Sequence, residues 1–276
     1  MTPASQPARS EGGTSSRRLP ALDELRAVVQ PPDVLGRRNA EHWAGTLYLR
    51  RLSLHVTRLL IPTGISANGV TWLMIVIGLL SALVLTVPAF WAVVVAALGI
   101  QLQILLDCSD GEIARWRGTR SAVGVYLDRI AHYTTEAALP LAFGIHADGG
   151  LGEVGTGTLL GALTAIVVVL NKGIGDLVHV SRASAGLPPL ADDGQAAAPR
   201  GGLLRRLRSA LRFVPFFRAF VAIEFTLLVL AVALADLLLG TDGAVVDVAV
   251  RVMPVLAVVI AGGHLAGILA SARLRP

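Results

Sequence analysis

Long apolar runs are the feature that most constrains this chain. A helix of about 20 residues crosses the roughly 30 Å hydrocarbon core of a bilayer, and runs of about that length recur along the sequence. Hydrophobic residues make up 54% of the chain and charged residues 16%, and the mean hydropathy is +0.65. The sequence therefore predicts an all-α, polytopic membrane protein with six transmembrane helices. These cover residues 70–87, 90–106, about 121–145, about 156–180, 216–239 and 245–270.

The remaining segments are polar or amphipathic. Residues 1–40 are rich in Ser, Gly, Pro and Arg and are predicted to be a disordered cytoplasmic tail, with a short helix possible at 22–29. In residues 41–62 apolar side chains alternate with basic ones, which is typical of an amphipathic helix at the membrane interface. Residues 183–212 are predicted to form a cytoplasmic loop. The membrane domain therefore covers residues 41–276.

The distribution of basic residues predicts the orientation in the membrane. Residues 1–60, the loop after the second span, residues 182–218 and the C-terminus together hold 21 of the 24 Lys and Arg residues, and all four segments lie on one side. By the positive-inside rule both termini are cytoplasmic, and the protein is integral to the cell (inner) membrane. A net charge of +5 is explained by this flanking pattern and does not indicate nucleic-acid binding.

Acidic side chains stand where the second apolar run ends, and a charge there needs a partner or a metal. Asp107 and Asp110 are three residues apart, and Asp128 and His132 are four apart, so each pair shares a helix face. Taken alone, two aspartates near a helix end are more often a cap or a surface ion pair. Two adjacent helices would however bring carboxylates and an imidazole together, and such oxygen ligands suit Mg²⁺ or Mn²⁺.

Small residues and an arginine accompany the acids. Gly111 and Ala114 leave one helix face nearly bare, and Gly124 does the same on the facing helix, so that a base or a pyrophosphate can approach the backbone. Arg115 can pair with phosphate through its forked guanidinium. Together with the acidic residues, these residues indicate a binding site for a nucleotide diphosphate that is coordinated by a metal ion.

The stretch from Asp107 to His132, here called the signature, resembles that of the CDP-alcohol phosphotransferase (CDP-alcohol phosphatidyltransferase) family. The family pattern is Asp, two residues, Asp-Gly, two residues, Ala-Arg, eight residues, Gly, three residues, Asp, three residues, Asp. The resemblance extends over roughly residues 45–275. Seven of the eight fixed positions are matched, by Asp107, Asp110, Gly111, Ala114, Arg115, Gly124 and Asp128.

The resemblance implies a homodimeric transferase of phospholipid or related synthesis, with its active site facing the cytoplasm. Such an enzyme moves a substituted phosphate from a CDP-alcohol, such as CDP-diacylglycerol, to an acceptor hydroxyl and releases CMP. In the family the aspartates hold divalent metal ions on the pyrophosphate. Gly111, Ala114, Arg115 and Gly124 match the positions that line the cytidine diphosphate site.

His132 stands where the family has its last aspartate, which is proposed to take the proton from the attacking hydroxyl. Histidine can act as a general base near neutral pH, but it is a poorer ligand for Mg²⁺ than a carboxylate. Glu136, four residues on, could orient the imidazole or simply form a buried hydrogen bond. His132 and Asp128 are therefore the candidate catalytic residues, with Asp107, Asp110, Asp128 and His132 as the metal ligands.

Lys172, His179 and Arg218 lie in or beside the later spans and could bind an anionic acceptor. Their alternative roles are snorkelling to the interface and pairing between helices. At the level of function, the alternative to an enzyme is an inactive family member that acts as a membrane scaffold. A transporter is less favoured, because it would not need Gly111, Ala114 and Arg115.

Overall fold

The structure, a computed structural model, describes residues 19–31, 44–190, 218–271 and 273–275. All regular secondary structure in these residues is helical, which confirms the all-α prediction. Its α-helices are α1 Leu22–Val29, α2 Arg50–Leu60, α3 Ala67–Leu85, α4 Phe90–Arg117, α5 Ala122–Ala147, α6 Thr156–Ser184, α7 Ala222–Leu239 and α8 Ala244–Ala270.

Of the helices in the described residues, five are long and apolar enough to cross a membrane: α3, α4, α6, α7 and α8. The chain is therefore an integral membrane protein with several spans. Helix α5 has 26 residues, which is long enough, but it carries Asp128, Arg129, His132 and Glu136 and falls short on apolar character. The sixth span therefore stays a prediction.

Helix α4 continues past the predicted end of the second span at Leu106 and reaches Arg117. It ends at Gly118, whose φ of 66° lies in the left-handed region that glycine adopts without strain. Helix α5 begins after Ser121, whose hydroxyl accepts a hydrogen bond of 3.1 Å from the backbone N–H of Gly124. The signature therefore occupies two rigid helices joined by a short turn.

The helices pack through small residues. Helix α3 lies against α4 and α5, α5 lies against α6, and α6 lies against α8. A Cβ on Gly144 of α5 would overlap the backbone oxygen of Gly157 in α6, and one on Gly161 would overlap the carbonyl of Pro140. Glycine is required at these positions because the two backbones approach so closely.

The interfacial segment is helical, although its position in a membrane stays a prediction. Gly45–Leu49 forms a π-helical turn, α2 follows, and Ile61–Thr63 forms a 3-10 turn. Residues 41–43 of the predicted helix 41–62 lie outside the described residues, as do residues 191–217, which include most of the predicted loop 183–212. Helix α7 begins at Ala222, later than the predicted start of that span at Phe216.

Within the predicted N-terminal tail, residues 22–29 form α1, and this helix is docked. Leu25 and Val29 of α1 are buried with Leu54 of α2, and Trp116 of α4 packs against them. Helix α1 therefore belongs to the folded part of the chain. The rest of the tail, residues 1–18 and 32–40, lies outside the described residues.

Candidate functional site

Asp107 on α4 and Asp128 and His132 on α5 meet at one place. Nε2 of His132 lies 3.5 Å from Oδ1 of Asp107 and 3.5 Å from Oδ1 of Asp128. One ligand atom from each of the three residues can be chosen so that all lie within 4.8 Å of one another. The side chains are 28% (Asp107), 41% (Asp128) and 33% (His132) exposed, so the group is partly exposed and is not sealed in the core.

These residues fit a divalent cation. Oδ1 of Asp128 is buried and has no hydrogen-bond partner among the described residues, and its contact with Nε2 of His132 is 3.5 Å long. A buried carboxylate oxygen without a donor is costly unless a cation compensates it. Two carboxylates and an imidazole form a ligand set that Mn²⁺ accepts readily and Mg²⁺ accepts less well.

Asp110 lies outside this group of three. Its Oδ2 accepts a hydrogen bond of 2.6 Å from the hydroxyl of Thr71 on α3. The structure therefore brings together three of the four predicted metal ligands and holds the fourth against the preceding helix. Thr71 is a residue that sequence reasoning missed, since nothing local marks a threonine in an apolar run.

The predicted donor-binding residues line the same region of α4 and α5. A Cβ on Gly111 would lie 3.3 Å from Nη1 of Arg115, so the guanidinium group extends back over this glycine. A Cβ on Gly124 would lie 3.2 Å from Oδ1 of Asn68, at the start of α3. Ala114 is partly buried on the same helix as Gly111. The two glycines thus let the side chains of Arg115 and Asn68 lie close to the helix backbone.

The other ring nitrogen of His132 faces Glu136. Nδ1 of His132 lies 3.9 Å from Oε1 of Glu136, and Oε2 of Glu136 lies 3.0 Å from Nζ of Lys172 on α6. Glu136 is only 5% exposed, so Lys172 compensates a buried carboxylate. Lys172 also lies over the ring of Tyr133, 5.7 Å from its centroid. The residues of α6 therefore support the α5 face that carries His132.

The other two predicted acceptor residues are placed differently. Arg218 forms an ion pair of 3.0 Å with Glu224 at the start of α7. His179 is exposed on α6. Among the three predicted acceptor residues, Lys172 contacts a signature helix, because it forms an ion pair with Glu136 on α5.

Two further polar clusters were not singled out from the sequence. Glu112 on α4 is fully buried and accepts hydrogen bonds from Gln30, Ser53 and Thr57. On the other side of the site, Asp176 of α6 pairs with Arg129 and accepts a 3.1 Å hydrogen bond from Tyr133. The sequence did mark Glu112, because it is a charged residue inside an apolar helix. Its partners could not be predicted, because they lie more than 50 residues away in the sequence.

One protein family has a sequence pattern that matches this chain. The pattern of CDP-alcohol phosphatidyltransferase covers residues 64–250, which is more than half of the 276 residues and includes the whole signature. The chain belongs to the CDP-alcohol phosphatidyltransferase family. Its members are transferases that use CDP-alcohols within membranes. A search of curated proteins finds no match to this sequence.

Membership in the CDP-alcohol phosphatidyltransferase family confirms the resemblance seen in the signature. The matched range is shorter than the predicted 45–275, because it begins after α2 and ends within α8. Helices α1 and α2 thus lie outside the matched range, although they contact the signature helix α4. His132 lies inside the matched range, and its replacement of the last family aspartate stays a prediction.

Proposed function

We propose that this protein transfers a substituted phosphate from a CDP-alcohol, CDP-diacylglycerol or a related donor, to an acceptor hydroxyl with release of CMP. The observation that carries the proposal is the meeting of Asp107, Asp128 and His132 where two signature helices adjoin. The product class is a phospholipid or a related phosphodiester.

The donor is held by residues of α4 and α5. Gly111, Ala114 and Gly124 give the cytidine diphosphate access to the backbone, and Arg115 pairs with a phosphate oxygen. Asp107, Asp110, Asp128 and His132 are the proposed ligands for Mg²⁺ or Mn²⁺. When bound, the cation supplies positive charge to the pyrophosphate oxygens.

In the transfer itself, the acceptor hydroxyl oxygen forms a bond to the phosphorus that carries the alcohol, and the bond from this phosphorus to the oxygen of CMP breaks. CMP leaves with the electron pair of that bond, and the hydroxyl proton passes to Nε2 of His132. Asp107 and Asp128 stabilise the imidazolium that forms, since each has a carboxylate oxygen 3.5 Å from this nitrogen. Glu136 faces the opposite ring nitrogen and favours the tautomer with a proton on Nδ1.

The two roles proposed for His132 exclude each other at a given moment. A single imidazole nitrogen cannot bind a cation and take a proton in the same step. As a base, His132 would leave the metal to the aspartates. As a ligand, it would leave the proton to Asp128. The substitution His132→Asp, considered in the Discussion, separates these roles.

Lys172, His179 and Arg218 are proposed to attract an anionic acceptor. Lys172 supports this best, because its ion pair with Glu136 places a positive charge next to the proposed base. His179 and Arg218 would contribute only positive charge along the approach to the site. The acceptor hydroxyl itself is not identified by these contacts.

The proposed membrane arrangement has six spans, with α5 as the sixth, and the site and both termini in the cytoplasm. The charges of α5 support spanning because α6 compensates them: Arg129 pairs with Asp176, and Glu136 pairs with Lys172. We further propose a homodimer in the cell (inner) membrane. Reporter fusions at residue 150 and at the C-terminus test the orientation, and opposite sides are expected.

Measurement of CMP tests the proposed function. The purified chain is incubated with CDP-diacylglycerol or soluble CDP-alcohols, a panel of hydroxyl acceptors, and Mg²⁺ or Mn²⁺. CMP release is expected, and Asp110→Asn should abolish it. Asp247→Asn is the matched control, because Asp247 is an exposed acid at the N-terminal end of α8. Absence of CMP release with every donor would favour the alternative of an inactive scaffold. His132 in place of an aspartate is the sequence feature that suggests this alternative.

A further inference from the structure

Helix α1 is fastened to the signature helix by specific polar contacts. Nε of Arg115 donates a hydrogen bond of 2.6 Å to the carbonyl of Val29, the last residue of α1. The side chain of Gln30, which follows, donates 2.7 Å bonds to Glu112 and to the carbonyl of Arg50. These contacts join α1 to α4 and α2 at the end of α4 that carries Arg115.

Arg115 stands between the substrate side of α4 and the side that α1 covers. It is four residues after Gly111 and three after Glu112, so it neighbours both on the helix surface. Its Nε is held by Val29, while Nη1 and Nη2 extend over Gly111, within 3.3 Å and 3.5 Å of where a Cβ would lie. The carbonyl of Val29 thus fixes the direction of the guanidinium fork.

Glu112 contributes to the contact of α1 with α4. Its side chain is fully buried and accepts three hydrogen bonds, from Gln30 at 2.7 Å, Ser53 at 2.6 Å and Thr57 at 2.7 Å. Loss of one donor to a buried carboxylate is costly, so the position of Gln30 is strongly restrained. Apolar contact adds to this, because Leu25 and Val29 are 0% exposed.

We propose that α1 is a positioning element for the donor site: the carbonyl of Val29, held in place by Leu25 and by Gln30 on Glu112, aims Arg115 at the donor phosphates. The inference rests on the proposed function, in which Arg115 binds the donor. Val29 and Gln30 act through Arg115 and do not touch the substrate. The substrate site of this chain then includes a cytoplasmic segment that lies before the range matched by the family pattern.

The test measures binding of cytidine diphosphate with Mg²⁺ to the purified full-length chain by titration calorimetry. Leu25→Asp places a charge in the buried contact and should detach α1, raising the Kd about tenfold, as loss of a hydrogen bond to a charged group does. Val28→Asp is the matched control, because it adds the same charge to the same helix at a side chain that is 40% exposed. It should leave the Kd unchanged. Gln30→Ala is a milder variant and should raise the Kd about threefold.

A double-mutant cycle separates positioning from general damage to the fold. Arg115→Ala alone should weaken binding more than Leu25→Asp does. If α1 acts through Arg115, adding Leu25→Asp to Arg115→Ala weakens binding no further. Additive losses would overturn the inference. So would an unchanged Kd in Leu25→Asp or, where that variant does not elute as a single species, in Gln30→Ala. Failure of the unmodified chain to bind cytidine diphosphate would instead reject the donor site of the proposed function.

Discussion

Thr71 on α3 donates a 2.6 Å hydrogen bond to Asp110 on α4. The bond holds Asp110 toward the first long apolar helix, apart from the group formed by Asp107, Asp128 and His132. Residues that hold metal-binding carboxylates by hydrogen bonds affect metal affinity and activity almost as strongly as the ligands do. Thr71 is therefore placed to control the orientation of Asp110, a proposed metal ligand.

Thr71→Val keeps the shape of the side chain and removes the hydroxyl. We expect CMP release to fall about tenfold, because Asp110 loses the donor that orients it. Thr71→Ser retains the hydroxyl and should remain close to the unmodified protein. Equal rates for the valine and serine variants would mean that this hydrogen bond does not matter for transfer.

Two substitutions at His132 distinguish its roles. His132→Ala should lower the rate of transfer about 100-fold if the imidazole is the base. His132→Asp introduces the aspartate that the resemblance implies at this position and should lower the Mg²⁺ concentration needed for half-maximal rate, since a carboxylate is a harder ligand. Both are read from CMP release against metal concentration. Undiminished transfer by the alanine variant would remove the base hypothesis.

Lys172→Met should destabilise the protein by about 3 kcal/mol, because it leaves the carboxylate of Glu136 buried without its partner. Lys172→Met combined with Glu136→Gln should recover most of this loss, since the buried charge is gone. Thermal unfolding in detergent measures both. A single variant with an unchanged unfolding midpoint and a raised KM for the acceptor would show instead that Lys172 binds substrate.

Gly144→Ala should destabilise the contact of α5 with α6. The added methyl group would overlap the carbonyl oxygen of Gly157, and overpacking of this kind costs about 1–3 kcal/mol. Gly173→Ala is the control within α6, because a Cβ there has no heavy atom within 4 Å. The control should be neutral or slightly stabilising, since alanine favours helices. A comparable loss in both variants would contradict the packing argument.

Asp148 links the end of α5 to the start of α6. Burial of this carboxyl would raise its pKa, but hydrogen bonds from Thr158, Gly157 and Gly155 outweigh that effect and hold the pKa below its usual value. Because the folded pKa is lower than the unfolded one, this stabilisation is fully present above the unfolded pKa of about 4 and is lost as the pH falls through the folded pKa.

The unfolding midpoint should therefore drop in acid more steeply in the unmodified protein than in Asp148→Ala. At neutral pH the alanine variant should be less stable by about 1 kcal/mol, as for other lost helix caps. Thermal unfolding between about pH 3 and pH 7 measures both effects. Parallel pH profiles for the two proteins would exclude this role of Asp148.

The proximity of Asp107, Asp128 and His132 was predictable because it follows from short-range geometry. Helical spacing sets the face of each residue, and the short turn between α4 and α5 makes these helices neighbours. The contact of Thr71 with Asp110 and the ion pair of Lys172 with Glu136 join helices through tertiary packing, which spacing does not reveal. The general region of the site could therefore be predicted, and Glu136 and Lys172 could be named, while their pairing with each other and the contact of Thr71 could not.

The position of helix α1 was still harder to predict from the sequence. Residues 22–29 form a helix of only eight residues within a stretch rich in Ser, Gly, Pro and Arg, where composition favours disorder. Its stability comes from the burial of Leu25 and from Glu112, which lies 82 residues after Gln30. The contact of Arg115 was hidden likewise: the sequence predicted that its guanidinium can pair with phosphate, and the structure adds that Nε donates to the carbonyl of Val29.

The hairpin of α4 and α5 carries Asp107, Asp128 and His132 within one continuous stretch of chain. Contacts that are close in sequence form early and with little loss of chain entropy. During synthesis on the ribosome, Asp107, Asp128 and His132 can therefore come together before α7 and α8 have joined the fold. The later helices then close around a centre whose parts are already together.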